Sequence, residues 1–240
     1  MIKRIMTICR HQMFFPGLLG IFVNPFYFAR SGLRDAMAEF APMLSGRLLD
    51  VGCGTKPYRS LFTVDAYIGL DIDSEGPLKR GIADHHYDGK SFPFADVSFD
   101  SILCSQVLEH VFNPDEFLGE IVRVLKPGGK LLLTVPFVWD EHEQPYDYAR
   151  YSSFGLSALL EKQCLKVLQH KKLGADASIL FQLANAYLFK ITQGLPRPIK
   201  LLLTVSVMAF INVSGLFARG LLPNNPDLFL DNVVLAEKAS

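Results

Sequence analysis

The segment Asp50-Val51-Gly52-Cys53-Gly54-Thr55 contains two closely spaced glycines. It continues a short apolar run, residues 48–51, which predicts a buried strand that ends in a glycine-rich bend. Glycine allows a sharp turn there and lets a ligand approach the backbone with no side chain between them. Asp71 ends the next predicted strand, about 20 residues after Gly52, where a carboxylate can accept hydrogen bonds from both hydroxyls of a ribose. Together they predict a site for a ribose-containing ligand.

Strand and helix patterns alternate outward from this bend. Apolar runs without strict alternation predict strands buried on both faces, at residues 66–70, 99–104 and 130–135. Further strands are predicted near residues 165–170 and at residues 232–236. Apolar residues at helical spacing predict a helix ahead of the bend, at Leu33, Met37, Phe40 and Leu44. A second helix is predicted to start at residues 113–116 and to end at residues 126–129. The pattern predicts an α/β fold: a doubly wound, mostly parallel seven-stranded sheet with an antiparallel last strand and a helical insertion before it.

The length of the chain suits one domain with an elaboration. The chain has 240 residues, 50% of them hydrophobic, so a sizeable core is expected. About sixty residues separate the last two predicted strands, too many for an ordinary loop. We therefore expect a single domain made of a helical lead (1–45), a cofactor-binding core (46–174), an apolar helical insertion (175–230) and a last strand (231–240).

Charge and cysteine content narrow the classes of partner. Basic and acidic residues number 24 each, and this balance gives no electrostatic reason to expect nucleic acid as a partner. The 4 cysteines are not spaced as metal ligands and suggest no disulfide framework. We therefore expect no metal site, and reduced thiols in a cytoplasmic protein.

The glycines of the bend have alternative interpretations. A dinucleotide site requires a third glycine three places after the second, and Pro57 stands at that position. An ordinary tight strand-to-helix turn would also use glycine.

Further blocks of sequence connect the chain to a known family. They are Phe92-Pro93-Phe94 with Ser98-Phe99-Asp100, residues 107–111 (Val-Leu-Glu-His-Val) and residues 123–129 (Arg-Val-Leu-Lys-Pro-Gly-Gly). Over residues 46–160 the chain resembles class I S-adenosylmethionine-dependent methyltransferases, in the large group related to ubiquinone and menaquinone biosynthesis methyltransferases. This resemblance implies S-adenosyl-L-methionine as the cofactor.

The resemblance also implies roles for individual positions. Gly52 and Gly54 would border the methionine part of the cofactor, and Asp50 would hold its amino group. Asp71 would bind the ribose, and Ile72 would pack on the adenine.

Three more positions follow from the same pattern. Asp88 would accept a hydrogen bond from the adenine amino group, although it could equally be a turn residue beside Gly89. Ser105 and Gln106 would line the methionine end. Lys56 stands where the family often has a third glycine, so its ammonium group must point away from the sulfonium or meet a carboxylate.

The loop at residues 136–151 follows a predicted strand, at the sheet edge where ligands of such folds bind. His142 is our first choice as a catalytic base, because imidazole titrates near neutral pH, and His110 is the second. Substrate contacts are expected from an arginine that can hold an anion and from aromatic rings that can stack on a sugar, namely Arg150, Tyr146, Tyr148 and Tyr151. This loop and residues 56–58 resemble methyltransferases associated with surface polysaccharide or glycolipid synthesis.

The same residues allow purely structural roles. Asp147 and Arg150 could form an ion pair, with the tyrosines half-buried around them. Glu109 and His110 could cap or orient a helix instead of contacting a substrate.

Two uncharged stretches, residues 12–29 and 201–218, suggest contact with a membrane. Pro16, Asn24 and Pro25 interrupt the first, which argues against a signal peptide. The insertion must return to adjacent strands, and its apolar segment at residues 177–189 is too short to span ~30 Å of hydrocarbon. We therefore expect an interfacial or re-entrant helical pair, flanked by the basic residues Lys190, Arg197, Lys200 and Arg219.

These expectations combine into one functional hypothesis. The chain would methylate a lipid-linked glycan or another lipophilic acceptor, as a cytoplasmic enzyme bound peripherally to the membrane. The alternatives are a soluble small-molecule methyltransferase whose insertion is a lid or a dimer interface, and a non-catalytic cofactor-binding subunit of a membrane partner.

Overall fold

A computed structural model describes residues 11–73 and 82–239 of the chain. The strands are β1 (Arg47–Val51), β2 (Ala66–Ile72), β3 (His85–Tyr87), β4 (Phe99–Ser105), β5 (Leu125–Pro136), β6 (Leu165–Leu173) and β7 (Asp231–Lys238). The α-helices are α1 (Gly20–Val23), α2 (Tyr27–Phe40), α3 (Pro114–Val124), α4 (Ser153–Lys162), α5 (Ser178–Ile191), α6 (Arg197–Leu203) and α7 (Ala209–Leu221). A 3-10 turn, Leu108–His110, follows β4, and a π-helical segment, Thr204–Met208, joins α6 to α7.

The strands form one 7-stranded sheet in the order β3-β2-β1-β4-β5-β7-β6. The pairs from β3 to β5 are parallel, and β7 is antiparallel to β5 and β6. This arrangement confirms the predicted α/β sheet with its antiparallel last strand. Because β1 lies between β2 and β4, the loops that follow these three strands meet at one edge of the sheet.

Chain contacts divide the molecule into two compact units. The sheet unit takes Met37–Phe137, Glu141–Lys171 and the residues from Asn232 onward. Its core is apolar on both faces of the central strands, and Leu49, Val51, Ile102 and Leu133 are fully buried. Burial of such side chains contributes about 1.5–3 kcal/mol each.

The helical unit takes the residues up to Ala36, together with 138–140 and 172–231. Phe28, Ala29, Ile179 and Leu230 form its apolar core. Most of the predicted lead and insertion fall in this unit, and the single domain with those four segments stays a prediction.

Buried amide side chains connect the helices of the helical unit. Gln182 on α5 accepts hydrogen bonds from the backbone N–H groups of Phe28 and Ala29 on α2, at 3.1 and 3.2 Å. Asn185 on α5 donates to Asn212 on α7 at 2.9 Å. Gln182, Asn185 and Asn212 are almost completely buried, so their hydrogen bonds fix how these helices pair.

The insertion contains α5 and a longer helical run, and the interfacial or re-entrant position of this helical pair stays a prediction. α6, the π-helical segment and α7 form one continuous run, Arg197–Leu221, of 25 residues. Among the described residues it is the one helix long and apolar enough to cross a membrane. Only 22% of its most apolar 18-residue stretch is buried. The apolar segment before it is α5, whose 14 residues are too short to span a bilayer.

Local boundaries also differ from the sequence prediction. Residues 126–129, predicted as the end of a helix, lie within β5, because α3 already stops at Val124. Asn113 precedes α3 as predicted, but its side chain makes no capping hydrogen bond.

Candidate active site

The glycine-rich bend after β1 is tied to β2. The backbone N–H groups of Gly52 and Cys53 both donate to the carbonyl oxygen of Leu70, at 2.8 and 3.1 Å. Gly52 has a φ of 68° and Gly54 a φ of 47°, the left-handed region that favours glycine. A Cβ at Gly52 would lie 2.3 Å from Cγ2 of Val107, whereas nothing lies within 4 Å of a Cβ at Gly54. The bend is therefore closely packed at Gly52 and open at Gly54.

Asp71 lies beside this open side of the bend. Its Oδ2 accepts a hydrogen bond from the backbone N–H of Gly54 at 3.0 Å. Its Oδ1 accepts one from the N–H of Ile72 at 2.9 Å. The structure thus brings together the two features that the sequence placed in one site, and the contact of Asp71 with a ribose stays a prediction.

Asp50 is a buried carboxylate at the end of β1. The hydroxyl of Tyr67 donates to its Oδ2 at 2.6 Å. Burial raises the pKa of Asp50 from 3.8 to about 7, although the hydrogen bond from Tyr67 and the charge of Lys56 act in the opposite direction. A cationic group bound next to it would favour the ionised form.

Lys56 meets a carboxylate, one of the two outcomes expected from the sequence. Its Nζ lies 2.6 Å from Oδ2 of Asp84, which also accepts the backbone N–H of Gly69 at 2.7 Å. These two contacts, the Gly69 N–H first, hold the pKa of Asp84 below its usual value. A Cβ at Gly69 would lie 2.3 Å from Cε of Lys56, so the lysine needs glycine there to reach Asp84. The sequence analysis identified neither Asp84 nor Gly69 as part of this contact. The available signal was a glycine inside a predicted strand.

The predicted adenine contacts lie at the ends of β2 and β3. The exposed side chain of Ile72 lies next to Gly89, where a Cβ would be 3.3 Å from its Cδ1. Asp88 accepts the backbone N–H groups of Lys90 and Ser91 through Oδ1, at 2.9 and 3.0 Å. The turn alternative for Asp88 is therefore present, and its contact with adenine stays a prediction.

Ser105 and Gln106 both reach towards Thr134 on the neighbouring strand β5. The Ser105 and Thr134 hydroxyls are 2.9 Å apart, and Nε2 of Gln106 donates to Oγ1 of Thr134 at 3.2 Å. Gln106 has a φ of 57°, which marks a sharp bend where β4 ends. The sequence did not indicate that Thr134 contacts both of these candidate site residues.

The two histidines proposed as bases lie against each other. The ring centroids of His110 and His142 are 4.8 Å apart, in an edge-to-face arrangement. Nδ1 of His110 lies 2.7 Å from the carbonyl oxygen of Tyr146, and since a carbonyl only accepts, Nδ1 carries the proton. Burial is the main reason that the pKa of His110 lies below its ordinary value. Neutral His110 therefore has its lone pair on Nε2.

Arg150 forms the ion pair that the sequence left as an alternative. Its Nη1 and Nη2 donate to Oδ1 and Oδ2 of Asp147, at 2.6 and 2.7 Å. Burial would raise the pKa of Asp147, but these bonds and the backbone N–H of His142 lower it to about 2. The guanidinium of Arg150 is thus held by a buried carboxylate, and its contact with a substrate anion stays a prediction.

The tyrosines of the loop divide into two environments. Tyr146 and Tyr148 are exposed, and the ring of Tyr148 packs edge-on against exposed Phe112 at 5.3 Å. Tyr151 packs against the core of the sheet unit, and its burial, followed by the charge of Glu109, raises its pKa. Tyr146 and Tyr148 suit a substrate surface better than Tyr151 does.

Comparison with known proteins supplies the family. A family model described as a methyltransferase domain matches residues 49–133. An uncharacterized protein of Methanocaldococcus jannaschii is 31% identical over 170 residues, which cover 67% of this chain and 80% of that protein. The chain belongs to the S-adenosylmethionine-dependent methyltransferase family.

The methyltransferase is also similar in sequence to one named enzyme and in fold to another. The fatty-acid O-methyltransferase of Mycolicibacterium smegmatis is 35% identical over 113 residues, covering 42% of this chain and 41% of that enzyme. The fold is shared with the phosphoethanolamine N-methyltransferase 2 of Haemonchus contortus in complex with S-adenosyl-L-methionine, with a TM-score of 0.56 at 18% identity, covering 92% of this chain and 55% of that one. The cofactor of the methyltransferase is S-adenosyl-L-methionine.

The site fits this cofactor. The open face at Gly54 leaves room beside the backbone, and the carboxylates of Asp71 and Asp50 flank the bend. These groups suit a ligand with ribose hydroxyls and a cationic amino group.

Proposed function

We propose that this methyltransferase methylates a lipid-linked glycan or another lipophilic acceptor at the cytoplasmic surface of a membrane. The observation that carries the proposal is the exposed apolar surface of the helical unit. Support also comes from the similarity to a fatty-acid O-methyltransferase, a protein named for a lipophilic substrate.

The exposed apolar residues are arranged along helix faces. On α5 and on α7 the same spacing of seven and then four residues places three of them on one side of the helix, at Leu180, Tyr187 and Ile191 and at Phe210, Phe217 and Leu221. Leu18, Leu201 and Leu202 in the same unit are also exposed. Apolar surface on this scale is unusual for a chain surrounded only by water and is typical of an interaction surface.

The basic residues near these helices contribute less than the sequence suggested. Lys190 lies 3.5 Å from a carboxylate oxygen of Asp140, and Arg219 lies 3.1 Å from one of Asp176. Lys200 donates to the carbonyl oxygen of Gln193 at 3.2 Å. Attachment to the membrane would therefore depend more on apolar contact than on attraction to anionic headgroups.

Methyl transfer from an activated donor requires mainly that the protein aligns the donor with the acceptor. S-adenosyl-L-methionine supplies an activated methyl group when bound. Asp71 and Asp50 would orient it, and the packed bend at Gly52 would hold the backbone against it. If the acceptor is a hydroxyl, His142 or His110 would take its proton, and Tyr146 and Tyr148 would contact the acceptor.

The experiment uses the full chain, S-adenosyl-L-methionine with a radiolabelled methyl group and vesicles made from a bacterial lipid extract. We expect the chain to float with the vesicles and the label to appear in the organic phase. A Phe210→Asp/Phe217→Asp variant should lose both, because a charge on each ring position opposes insertion among acyl chains.

The matched control is Phe154→Asp, since Phe154 is even more exposed than Phe210 and Phe217 but lies on α4 in the sheet unit. This variant should float and transfer label as the unmodified chain does. Label found only in water-soluble products, or equal flotation of both variants, would contradict the proposal.

A further inference from the structure

Three metal-ligating side chains meet after β4 and β5. Glu109 and His110 lie in the 3-10 turn Leu108–His110, and His142 lies in the loop that follows β5. Each offers one ligand atom, and these atoms all lie within 4.8 Å of one another. Nε2 of His110 is 3.8 Å from Oε1 of Glu109. If the three ligand atoms moved slightly closer together, all of them could contact one cation.

Each of these residues is held in place by other contacts. The Nδ1–H of His110 donates to the carbonyl oxygen of Tyr146, which turns the Nε2 lone pair towards Glu109. Metal-binding histidines are commonly oriented by such a bond from their other ring nitrogen. The backbone carbonyl of Glu109 accepts the N–H groups of Tyr148 and Ala149, at 2.8 and 3.2 Å, and so ties the loop to the turn.

His142 is positioned by a carboxylate. Its backbone N–H donates to Oδ2 of Asp147 at 2.9 Å, and its Nδ1 lies 3.4 Å from the same oxygen and 3.5 Å from Nη2 of Arg150. Asp147 is fixed in turn by Arg150. A carboxylate behind a histidine is another arrangement found around metal ligands.

The charge of Glu109 adds to this geometry. Its side chain is completely buried, and its Oε1 lies 3.8 Å from Nε2 of His110. A carboxylate shielded from water attracts a cation more strongly than an exposed carboxylate does.

We propose that Glu109, His110 and His142 bind a divalent transition-metal cation of the zinc type. Two imidazoles and one carboxylate are a ligand set that Zn²⁺ and its neighbours accept, whereas Mg²⁺ and Ca²⁺ prefer oxygen ligands. Three protein ligands leave a coordination position open, which is typical of catalytic sites. The sequence analysis predicted no metal site, and His142 is distant in the chain from Glu109 and His110.

The site has a consequence for methyl transfer, and this part rests on the proposed function. The cation would occupy the histidine lone pairs, so neither ring would then act as the base. An acceptor hydroxyl in the open position would instead lose its proton to water, and its oxygen would form the bond to the methyl group as the sulfonium carbon–sulfur bond breaks.

Cobalt(II) is the probe for binding. We expect the chelator-treated full chain to bind one Co²⁺, with the strong visible absorption of a four- or five-coordinate ion, and Zn²⁺ to displace it. His142→Ala should weaken Co²⁺ binding at least ~10-fold. The control His86→Ala, at an exposed histidine of β3, should bind Co²⁺ normally.

Glu109→Gln tests the buried carboxylate, and circular dichroism reports whether this variant folds. Co²⁺ with the weak spectrum of an octahedral ion, or unchanged affinity in His142→Ala, would overturn the proposal. Calorimetry with S-adenosyl-L-methionine and label transfer to lipid are run on the same samples. Co²⁺ binding without lipid methylation would refute the proposed function alone, whereas lipid methylation without Co²⁺ binding would refute the metal site alone.

Discussion

The carboxylate of Asp71, at the end of β2, accepts a hydrogen bond from the backbone N–H of Gly54 in the bend after β1. This bond connects the ends of two strands that border the candidate cofactor site. Asp71 therefore has two roles available, one in shaping the bend and one in binding the ribose.

Asp71→Ala and Asp71→Asn separate these roles. Both should weaken the binding of S-adenosyl-L-methionine at least ~10-fold, about 1.4 kcal/mol. Asn keeps an oxygen that can accept the Gly54 N–H, so it should preserve the free energy of unfolding better than Ala. Isothermal calorimetry and denaturant titration measure the two quantities. Asp73→Ala, two residues further on, is the control, and an equal loss of affinity in this variant would argue against a specific role for Asp71.

Gly52 and Gly54 should respond differently to a methyl group. Gly52→Ala places a Cβ 2.3 Å from Val107 at a positive φ, so we expect a loss of more than about 2 kcal/mol in the free energy of unfolding. Gly54→Ala meets open space, so about 1 kcal/mol is expected, with the larger effect on cofactor affinity. Adding Val107→Ala to Gly52→Ala should recover part of the stability. A double variant no more stable than Gly52→Ala would show that the clash with Val107 is not the cause.

Asp50 should make the stability of the cofactor-free chain depend on pH. Its pKa is raised from 3.8 to about 7 in the folded chain, so the folded state binds this proton more tightly than the unfolded state does. The stabilisation is complete below pH ~4 and is lost as the pH rises to about 7, by up to about 1.4 kcal/mol per pKa unit. Denaturant titrations across this range measure it.

Two variants check that assignment. Asp50→Asn should flatten the pH dependence between those limits. Tyr67→Phe removes a hydrogen bond that lowers the pKa, so it should move the decrease to higher pH. A profile left unchanged by Asp50→Asn would mean that another group titrates.

The Asp147–Arg150 pair should matter more for stability than an exposed pair. The Asp147 side chain is 4% exposed, and Asp147→Asn leaves the charge of Arg150 without its carboxylate, so we expect a loss of about 3 kcal/mol. Asp115→Asn breaks the exposed pair with Lys162 and should cost less than about 1 kcal/mol. Thermal denaturation measures both, and similar values for the two variants would contradict the expected difference.

The sequence predicted those parts of the fold that follow from local pattern. The apolar runs located β1, β2 and β4, and the glycine spacing with Asp71 indicated a site for a ribose-containing ligand. Lys56 was expected either to point away from the sulfonium or to meet a carboxylate, and Asp84 was not identified, because that contact joins residues from different loops.

The parts that the sequence did not predict depend on tertiary packing. The adjacency of His110 and His142 follows from how two loops fold over one sheet edge, which no periodic pattern records. The buried amides of the insertion were likewise missed, because polar residues in an apolar segment do not reveal their partners.

Those amides limit how the helices of the insertion can move. If α5 slid along α7 by one turn, the buried hydrogen bond between Asn185 and Asn212 would break. Each amide left unsatisfied would cost about 1–3 kcal/mol. Leucines at the same positions would tolerate such slippage. The exposed apolar surface of the helical unit can therefore contact surfaces of varying shape while α5 and α7 stay aligned with each other.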